Sequence, residues 1–176
     1  MAKLLIISGS LRAQSSSRLV AHALVNALKN EADFTFADIG KLPHYNADLE
    51  NDENVRMFIQ KVSDADGIVF VTPEYNYSIP GVLKNAIDWA SRPAYESVFK
   101  NKHCFIVSVS GGPLGGVRAQ SHLKYVLNGM LANTHVGKEI LVPSANAKIN
   151  DGAFSDTDIV EYARIELLSF IGDLRT

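Results

Sequence analysis

Residues 72–89 read Thr-Pro-Glu-Tyr-Asn-Tyr-Ser-Ile-Pro-Gly-Val-Leu-Lys-Asn-Ala-Ile-Asp-Trp, and they join an apolar run to a helical pattern. The run before them, Gly67–Val71, is typical of a strand buried on both faces of a parallel sheet. Between strand and helix, Pro73 and Pro80 fix the backbone and remove two amide donors. Ligands of open α/β sheets bind at the carboxyl ends of the strands, so a rigid loop with two tyrosines and an asparagine predicts a site for a flat heteroaromatic ligand. The alternative is an ordinary loop whose tyrosines pack on the protein itself.

Outward from this loop, strand and helix patterns alternate along the chain. The predicted strands are Lys3–Ile7, Phe34–Ile39, Gly67–Val71, Lys102–Val109 and Thr134–Val142. The predicted helices are Arg18–Lys29, Asn54–Ala65, Gly81–Ser91, Val117–Leu131 and Asp156–Leu174. Without linkers or repeats, this pattern predicts one α/β domain over residues 1–176, with a five-stranded parallel sheet and helices on both faces. The doubly wound strand order 2-1-3-4-5 fits the ligand-binding loops described below.

Composition narrows the classes of function. The chain has 176 residues and a net charge of −2, which does not favour nucleic acid as a partner and is far from the strongly acidic surface of a dedicated electron carrier. Cys104 is the only cysteine, so no intrachain disulfide forms. The apolar run at the N-terminus is too short for a membrane helix and carries no cleavage-site pattern. We therefore expect a cytoplasmic protein without a membrane partner.

The loop after the first strand, Ser8–Ser17, opens the first predicted helix. Free amide groups at a helix start attract phosphate, and Arg12 adds a forked, charged donor. Hydroxyl donors are supplied by Ser10, Ser15, Ser16 and Ser17. The loop lacks both the Walker A pattern and the dinucleotide fingerprint, so it suits a single phosphate. The simpler alternative is that Ser16 or Ser17 only caps the helix.

A third loop follows the fourth strand and holds four glycines between Gly111 and Gly116. Glycine lets the backbone approach a ligand edge, although a mobile turn ahead of a helix would have the same composition. In the expected strand order the loops after strands 1, 3 and 4 share one crevice. Together they call for one phosphate, a polar linker and a flat ring with hydrogen-bonding edges, and FMN matches that description.

These motifs resemble the NADPH-dependent FMN reductase family, which includes flavodoxin-like quinone, azo and chromate reductases. The resemblance rests on Gly-Ser-Leu-Arg at residues 9–12 with Ser15, on residues 72–89, and on Ser-Gly-Gly followed by Gly-Gly-Val-Arg-Ala-Gln at 110–120. It runs from Lys3 to about Val142 and implies a flavodoxin-like fold. It also implies a homodimer or homotetramer, with the helix after residue 80 near the interface.

The resemblance assigns cofactor-binding roles to three groups of residues. Those expected to hold the FMN phosphate are Ser10, Arg12, Ser15 and Ser17. Those expected to line the isoalloxazine and ribityl chain are Pro73, Glu74, Tyr75, Asn76 and Tyr77. Those expected to contact the polar edge of the ring are Ser110, Gly111 and Gly112.

The implied activity is transfer of hydride from NADPH or NADH, through bound FMN, to a quinone, azo compound, nitroaromatic or chromate in a ping-pong reaction. No side chain is assigned as catalytic, because a quinone product can take its proton from water, and Tyr77 is expected to shape the acceptor site. One alternative is a flavodoxin-type electron carrier, and another is a flavin reductase that releases reduced FMN. A signalling receiver domain is disfavoured, since it needs acidic residues where this chain has Ser8-Gly9-Ser10.

Other residues have simpler interpretations. The five histidines are scattered without the spacing of metal ligands, so we expect no metal site. Cys104 lies in an apolar run and is interpreted as a buried hydrophobe, and Trp89 as a core or subunit contact. His44 and Tyr45 are interpreted as surface-loop residues rather than the rim of a pocket. Arg118 lies at a helix start, where positive charge is unfavourable, so we expect an anion or an acid of another subunit beside it.

Overall fold

The computed structural model describes residues 1–174. The helices are α1 Ser16–Leu28, α2 Glu53–Asp64, α3 Gly81–Ala90, α4 Val117–Gly129 and α5 Thr157–Asp173. The strands are β1 Ala2–Ser8, β2 Ala32–Phe36, β3 Gly67–Pro73, β4 His103–Val109, β5 Asn133–Thr134, β6 Ile140–Val142, β7 Ile149–Asn150 and β8 Ala153–Phe154. Two 3-10 turns cover Ile39–Lys41 and Ala145–Lys148.

The main sheet is parallel and has the order β2-β1-β3-β4-β5, with β6 also pairing with β4. The predicted α/β fold class and strand order are therefore confirmed. Strand β1 pairs with β2 on one side and β3 on the other, which makes the end of β1 a topological switch point where ligands of such folds bind. No helix within residues 1–174 is long and apolar enough to cross a membrane.

The sheet is buried on both faces, which explains the continuous apolar runs in its central strands. On one face, Leu4, Val69 and Phe105 pack in a cluster with residues of α1 and α5. On the opposite face, Leu5 and Phe70 pack in a second cluster with residues of α2, α3 and α4. Alternate residues of one strand thus point to opposite helical layers.

The prediction of one continuous fifth strand over Thr134–Val142 is wrong. Only its two ends pair with β4, as β5 and β6. The His135 amide still donates to the Cys104 carbonyl oxygen of β4 at 2.8 Å, and residues 136–139 leave the sheet. The side chain of His135 turns inward there, with its ring 5.4 Å from Phe105 and 5.7 Å from Phe170. Next to it, Val136 is 96% exposed. Further along, the Lys138 amide donates to Glu166 Oε2 on α5 at 3.1 Å instead of pairing with β4, so the ladder is interrupted there.

The predicted second strand lies too late in the sequence. Its apolar residues extend to Ile39, but β2 ends at Phe36. The carboxylate of Asp38 accepts a hydrogen bond from the Gly40 amide at 3.3 Å and starts a 3-10 turn. Ile39 is buried, but it reaches the core from this turn and not from a strand.

Candidate functional site

The loops after β1, β3 and β4 meet at the carboxyl edge of the sheet. The Gly9 amide donates to the Val71 carbonyl oxygen at 3.0 Å, and the Glu74 amide donates to the Val109 carbonyl oxygen at 3.2 Å. A cavity opens between the loops, and its lining residues are Ser10, Arg12, Ser15, Ser16, Ser17, Pro73, Glu74, Tyr75, Val109, Ser110, Gly111 and Asn146. Nine of the twelve residues predicted from the sequence therefore lie together, whereas Asn76, Tyr77 and Gly112 do not line the cavity.

The first loop presents hydroxyl groups at the start of α1. Ser15 caps the helix, because its Oγ accepts from the Arg18 amide at 3.3 Å, so the alternative that Ser16 or Ser17 is the cap is wrong. Ser15 Oγ also lies 3.3 Å from Ser17 Oγ. The serines at this helix start line a cavity that Arg12 also lines, and the Arg12 side chain has no hydrogen-bond or ionic partner within residues 1–174. This donor set can hold a phosphate.

The second loop is a tight hairpin. The Tyr75 amide donates to the Ser78 carbonyl oxygen at 2.9 Å, and the Ser78 amide returns a bond to the Tyr75 carbonyl oxygen at 3.0 Å. Asn76 and Tyr77 form the tip with φ angles of 49° and 65°, the left-handed pair of a type I′ turn. Tyrosine is unfavourable at positive φ, and Tyr77 is still 67% exposed. The turn therefore holds an aromatic ring in solvent beside the cavity.

Glu74 has a structural role that its place in the motif did not reveal. Its Oε2 accepts from the amides of Arg118 and Ala119 at 3.0 and 3.2 Å, which caps the start of α4. Its Oε1 lies 3.5 Å from the Arg118 guanidinium, and that guanidinium lies 4.6 Å from the centre of the Tyr77 ring. The anion expected beside Arg118 is thus the carboxylate of Glu74 in the same chain, and the contact with an acid of another subunit stays a prediction. Glu74 and Arg118 fix the second loop to α4.

Replacing Glu74 by alanine is expected to lower the free energy of unfolding by about 1–2 kcal/mol, since two amides and one guanidinium lose their shared acceptor. Urea denaturation measures the change. Glu50→Ala is a matched control, because Glu50 is exposed and its side chain has no partner within residues 1–174. A loss in Glu74→Ala no larger than in Glu50→Ala would contradict the capping role.

The third loop is tied to the segment after β6. The Ser110 amide donates to the Val142 carbonyl oxygen at 3.0 Å, and the Ser144 amide donates to the Gly112 carbonyl oxygen at 2.9 Å. A Cβ on Gly111 would lie 3.0 Å from Asn146 Nδ2, so the backbone approaches this side chain closely. The alternative of a mobile turn ahead of a helix is therefore disfavoured.

Asn146 is a lining residue that the sequence did not indicate. Its Oδ1 accepts from Ser16 Oγ at 2.7 Å, which connects the segment after β6 to the first loop. The residues around it have neither a strand nor a helix period, so their position at the sheet edge could not be predicted. The hydroxyl of Ser16 was indicated as a donor, but the family resemblance assigned it no role.

Three further residues lie outside the cavity lining. Trp89 is a core residue, and its Nε1 donates to the Pro43 carbonyl oxygen at 2.8 Å. Tyr45 packs edge-on against the Trp89 ring at 5.0 Å between ring centres. Cys104 is buried, and burial raises the pKa of its thiol to about 12, so the thiol stays protonated and does not act as a nucleophile at neutral pH.

Known proteins are similar to this chain in sequence and in fold. The chain is 48% identical over 126 residues to 2-hydroxy-1,4-benzoquinone reductase from Burkholderia sp., a match that covers 70% of this chain and 69% of that protein. It is 40% identical over 146 residues to an NAD(P)H-dependent FMN reductase of Pseudomonas aeruginosa, which covers 81% of this chain and 78% of that protein. Among solved structures, the flavoenzyme NAD(P)H:(acceptor) oxidoreductase FerB from Paracoccus denitrificans superposes with a TM-score of 0.89 and 30% identity, over 99% of this chain and 98% of that one.

The sequence profile of the family described as NADPH-dependent FMN reductase matches residues 2–147. This range includes the three loops around the cavity, from Ser10 to Asn146. The resemblance seen in the motifs is thereby confirmed. The chain belongs to the NADPH-dependent FMN reductase family and is an oxidoreductase that depends on FMN and NAD(P)H.

Proposed function

We propose that the enzyme uses NAD(P)H to reduce quinones, or similar acceptors such as azo compounds, nitroaromatics and chromate, by a ping-pong mechanism within a single domain. The observation that carries the proposal is the meeting of three loops around one cavity. An arginine without a partner in residues 1–174 and a helix start lie on one side of the cavity, and a strained aromatic turn lies beside it. The names of the relatives that act on quinones support the same class of acceptor.

The residues at the cavity fit FMN. The proposed phosphate site combines the hydroxyls of Ser10, Ser15 and Ser17 with the guanidinium of Arg12. No acidic side chain in the first loop opposes an anion, and the carboxylate that does line the cavity, Glu74, is occupied by α4. The phosphate therefore meets donors without a competing negative charge.

The other two loops are proposed to hold the remainder of the cofactor. Residues proposed to flank the ring and the ribityl chain are Pro73, Glu74, Tyr75, Asn76 and Tyr77. Ser110, Gly111 and Gly112 are proposed to contact the polar edge of the ring, and the Gly112 amide is already directed to Ser110 Oγ at 3.0 Å. When bound, FMN supplies the chemistry by accepting hydride from NAD(P)H and reducing the acceptor.

The residues of the chain position the cofactor and shield it from solvent, and none of them is required to transfer a proton. The titratable side chains that line the cavity are Arg12, Glu74 and Tyr75. The Arg12 guanidinium is a hydrogen-bond donor only, and Glu74 is held by the start of α4. We therefore assign no catalytic acid or base.

The test is the visible spectrum of the purified protein, followed by mixing with NADPH in the absence of air. A flavin band that bleaches without a second protein and returns on adding quinone is the expected result. A band that resists both NADPH and NADH would indicate an electron carrier instead. If desalting after turnover separates reduced FMN from the protein, the chain is a flavin reductase that releases its product. Absence of flavin and of FMN uptake would overturn the proposal.

Tyr77→Ala is expected to change the KM for a quinone acceptor by about threefold to tenfold, because an exposed ring beside the site is lost. The rate of flavin reduction by NADPH should change less, since Tyr77 lies at the edge of the proposed FMN site and does not line the cavity itself. Tyr125→Ala is the control, because Tyr125 is 81% exposed on α4 and does not belong to the aromatic turn. Unchanged acceptor kinetics in Tyr77→Ala would remove this residue from the acceptor site.

We also propose that the protein is cytoplasmic and forms a homodimer or homotetramer. A single buried cysteine suits a reducing compartment. Exposed apolar side chains near the cavity, Leu114 and Tyr77, offer surface for a subunit contact. Light scattering on the eluted peak of a sizing column measures the mass, and a monomer at micromolar concentration would contradict the oligomer.

A further inference from the structure

A second cavity, of about 220 Å³, lies beside the first one at the carboxyl ends of β1 and β2. Its walls include Ser8, Arg18 and Asp38, and Leu11, Phe36 and Ile39 provide apolar surface. Ser10 lines both cavities, so the two are neighbours. A ligand in the second cavity therefore lies next to a ligand in the first.

Ser8 carries an unsatisfied hydroxyl at this cavity. The residue is only 9% exposed, and its Oγ has no hydrogen-bond partner within residues 1–174. A buried hydroxyl without a partner costs free energy, and native proteins pair the great majority of such groups. Ser8 lines the cavity, so a polar ligand there supplies the missing hydrogen bond.

Arg18 brings an unpaired positive charge to the same cavity. It lies in the first turn of α1, where the helix dipole disfavours a cation, and no acidic residue occupies that turn. Its guanidinium has no hydrogen-bond or ionic partner in the described part of the chain. A planar fork of donors that is partly buried suits a phosphate or carboxylate.

Asp38 faces this cavity from the end of β2. One carboxylate oxygen accepts from the Gly40 amide at 3.3 Å, and the other lies 3.5 Å from Lys41 Nζ, which reduces its repulsion of an anion. In dinucleotide-binding α/β folds, an acid downstream of the first helix accepts a ribose hydroxyl of NAD, or a nearby arginine accommodates the 2′-phosphate of NADP. The cavity here holds one side chain of each kind.

Resting on the proposed function, we propose that this second cavity binds the adenosine end of the co-substrate, with Arg18 contacting the 2′-phosphate of NADPH and Asp38 a ribose hydroxyl. The apolar side chains of Leu11 and Phe36 then pack against the adenosine. The first cavity keeps the FMN phosphate, and the shared wall at Ser10 separates the two anions. Arg18 is thereby the residue that favours NADPH over NADH.

The experiment titrates two probes into the FMN-loaded protein by calorimetry. Adenosine 2′,5′-bisphosphate carries the 2′-phosphate, and adenosine 5′-monophosphate lacks it. The unaltered protein should bind the bisphosphate at least about tenfold more tightly, as expected for a charge-assisted pair. Arg18→Gln should remove most of that preference. Arg56→Gln should keep it, because Arg56 is exposed on α2, away from the cavity, and its side chain has no partner within residues 1–174.

Equal affinity for the two probes, binding of neither, or an unchanged preference in Arg18→Gln would each overturn the proposal. If Arg18→Gln does not fold, Asp38→Asn replaces it. Removing a negative charge beside the phosphate should raise the affinity for the bisphosphate relative to that for the monophosphate. An unchanged ratio of the two affinities would contradict the site. In turnover, Arg18→Gln should lower the ratio of kcat/KM for NADPH to that for NADH at least about tenfold. Failure of the proposed function is seen separately, as a flavin band that NADPH does not bleach, because the probes contain no nicotinamide.

Discussion

Replacing Gly9 by alanine is expected to weaken FMN binding at least about tenfold and to lower the free energy of unfolding by about 1–3 kcal/mol. A Cβ at this position would lie 2.6 Å from Thr72 Oγ1, 3.1 Å from Pro73 Cδ and 3.2 Å from Thr72 Cα. Thr72 is fully buried and its hydroxyl donates to the Pro73 carbonyl oxygen, so it cannot turn aside freely. The first two loops must move apart, and the cavity between them changes shape.

The reason for this glycine is space, since its φ is not in the left-handed region. Gly81→Ala is the matched control, because a Cβ there meets nothing within 4 Å at the start of α3. Alanine at that position should leave FMN binding unchanged and stabilise the protein by about 0.5–1 kcal/mol. Flavin fluorescence on titration and urea denaturation give the two readouts. A Gly9→Ala protein that binds FMN as tightly as Gly81→Ala would show that close packing of the two loops does not form the site.

The strands and the location of the site were predictable because burial leaves a direct trace in sequence, whereas the strand order was inferred from the motifs of the loops. Residues such as Leu5 and Phe70 face one helical layer while Leu4 and Val69 face the other, so neither side of the strand tolerates polar residues. Such a strand does not show the alternation of apolar and polar residues, but its length and apolar content still identify it in the sequence. Polar loops that follow these runs then point to the sheet edge where ligands bind.

Side-chain pairings between distant loops were not predictable. Glu74 and the amides that it caps are 44 and 45 residues apart, and nothing in either segment specifies the other. Ser16 and Asn146 are 130 residues apart and meet because the segment after β6 folds back over the third loop. Periodicity describes one element at a time, so contacts of this kind appear only when the sheet is assembled.

The break between β5 and β6 has a similar origin. The sequence from Thr134 to Val142 has strand-forming residues, and no signal in it shows that His135 will turn between two phenylalanine rings. The His135 amide still donates to β4, whereas the Lys138 amide donates to Glu166 of α5, so the partner that interrupts the ladder lies in another element. Tertiary packing overrides strand propensity at this position.

Arg12→Gln is expected to weaken FMN binding by about tenfold to a hundredfold while riboflavin binding stays nearly constant, because a charge-assisted hydrogen bond to the phosphate is worth about 1.5–3 kcal/mol. Arg12 is exposed, and its guanidinium lines the cavity without a partner within residues 1–174, so its removal leaves no buried group unpaired. Fluorescence titration of the apoprotein with FMN and with riboflavin measures the difference. Arg56→Gln serves again as the control and should bind both flavins as the unaltered protein does.

The comparison with riboflavin separates two ways in which Arg12 could act. If the guanidinium meets the phosphate, only the phosphorylated flavin loses affinity, and the loss shrinks as salt rises because the interaction is exposed. If Arg12 instead supports the fold of the first loop, both flavins lose affinity together, and the assignment to the phosphate is wrong. Arg18 provides a further contrast, since it lines the second cavity and not the first. Arg18→Gln should therefore weaken FMN binding far less than Arg12→Gln does, and equal losses would mean that the two cavities do not divide the phosphates between them.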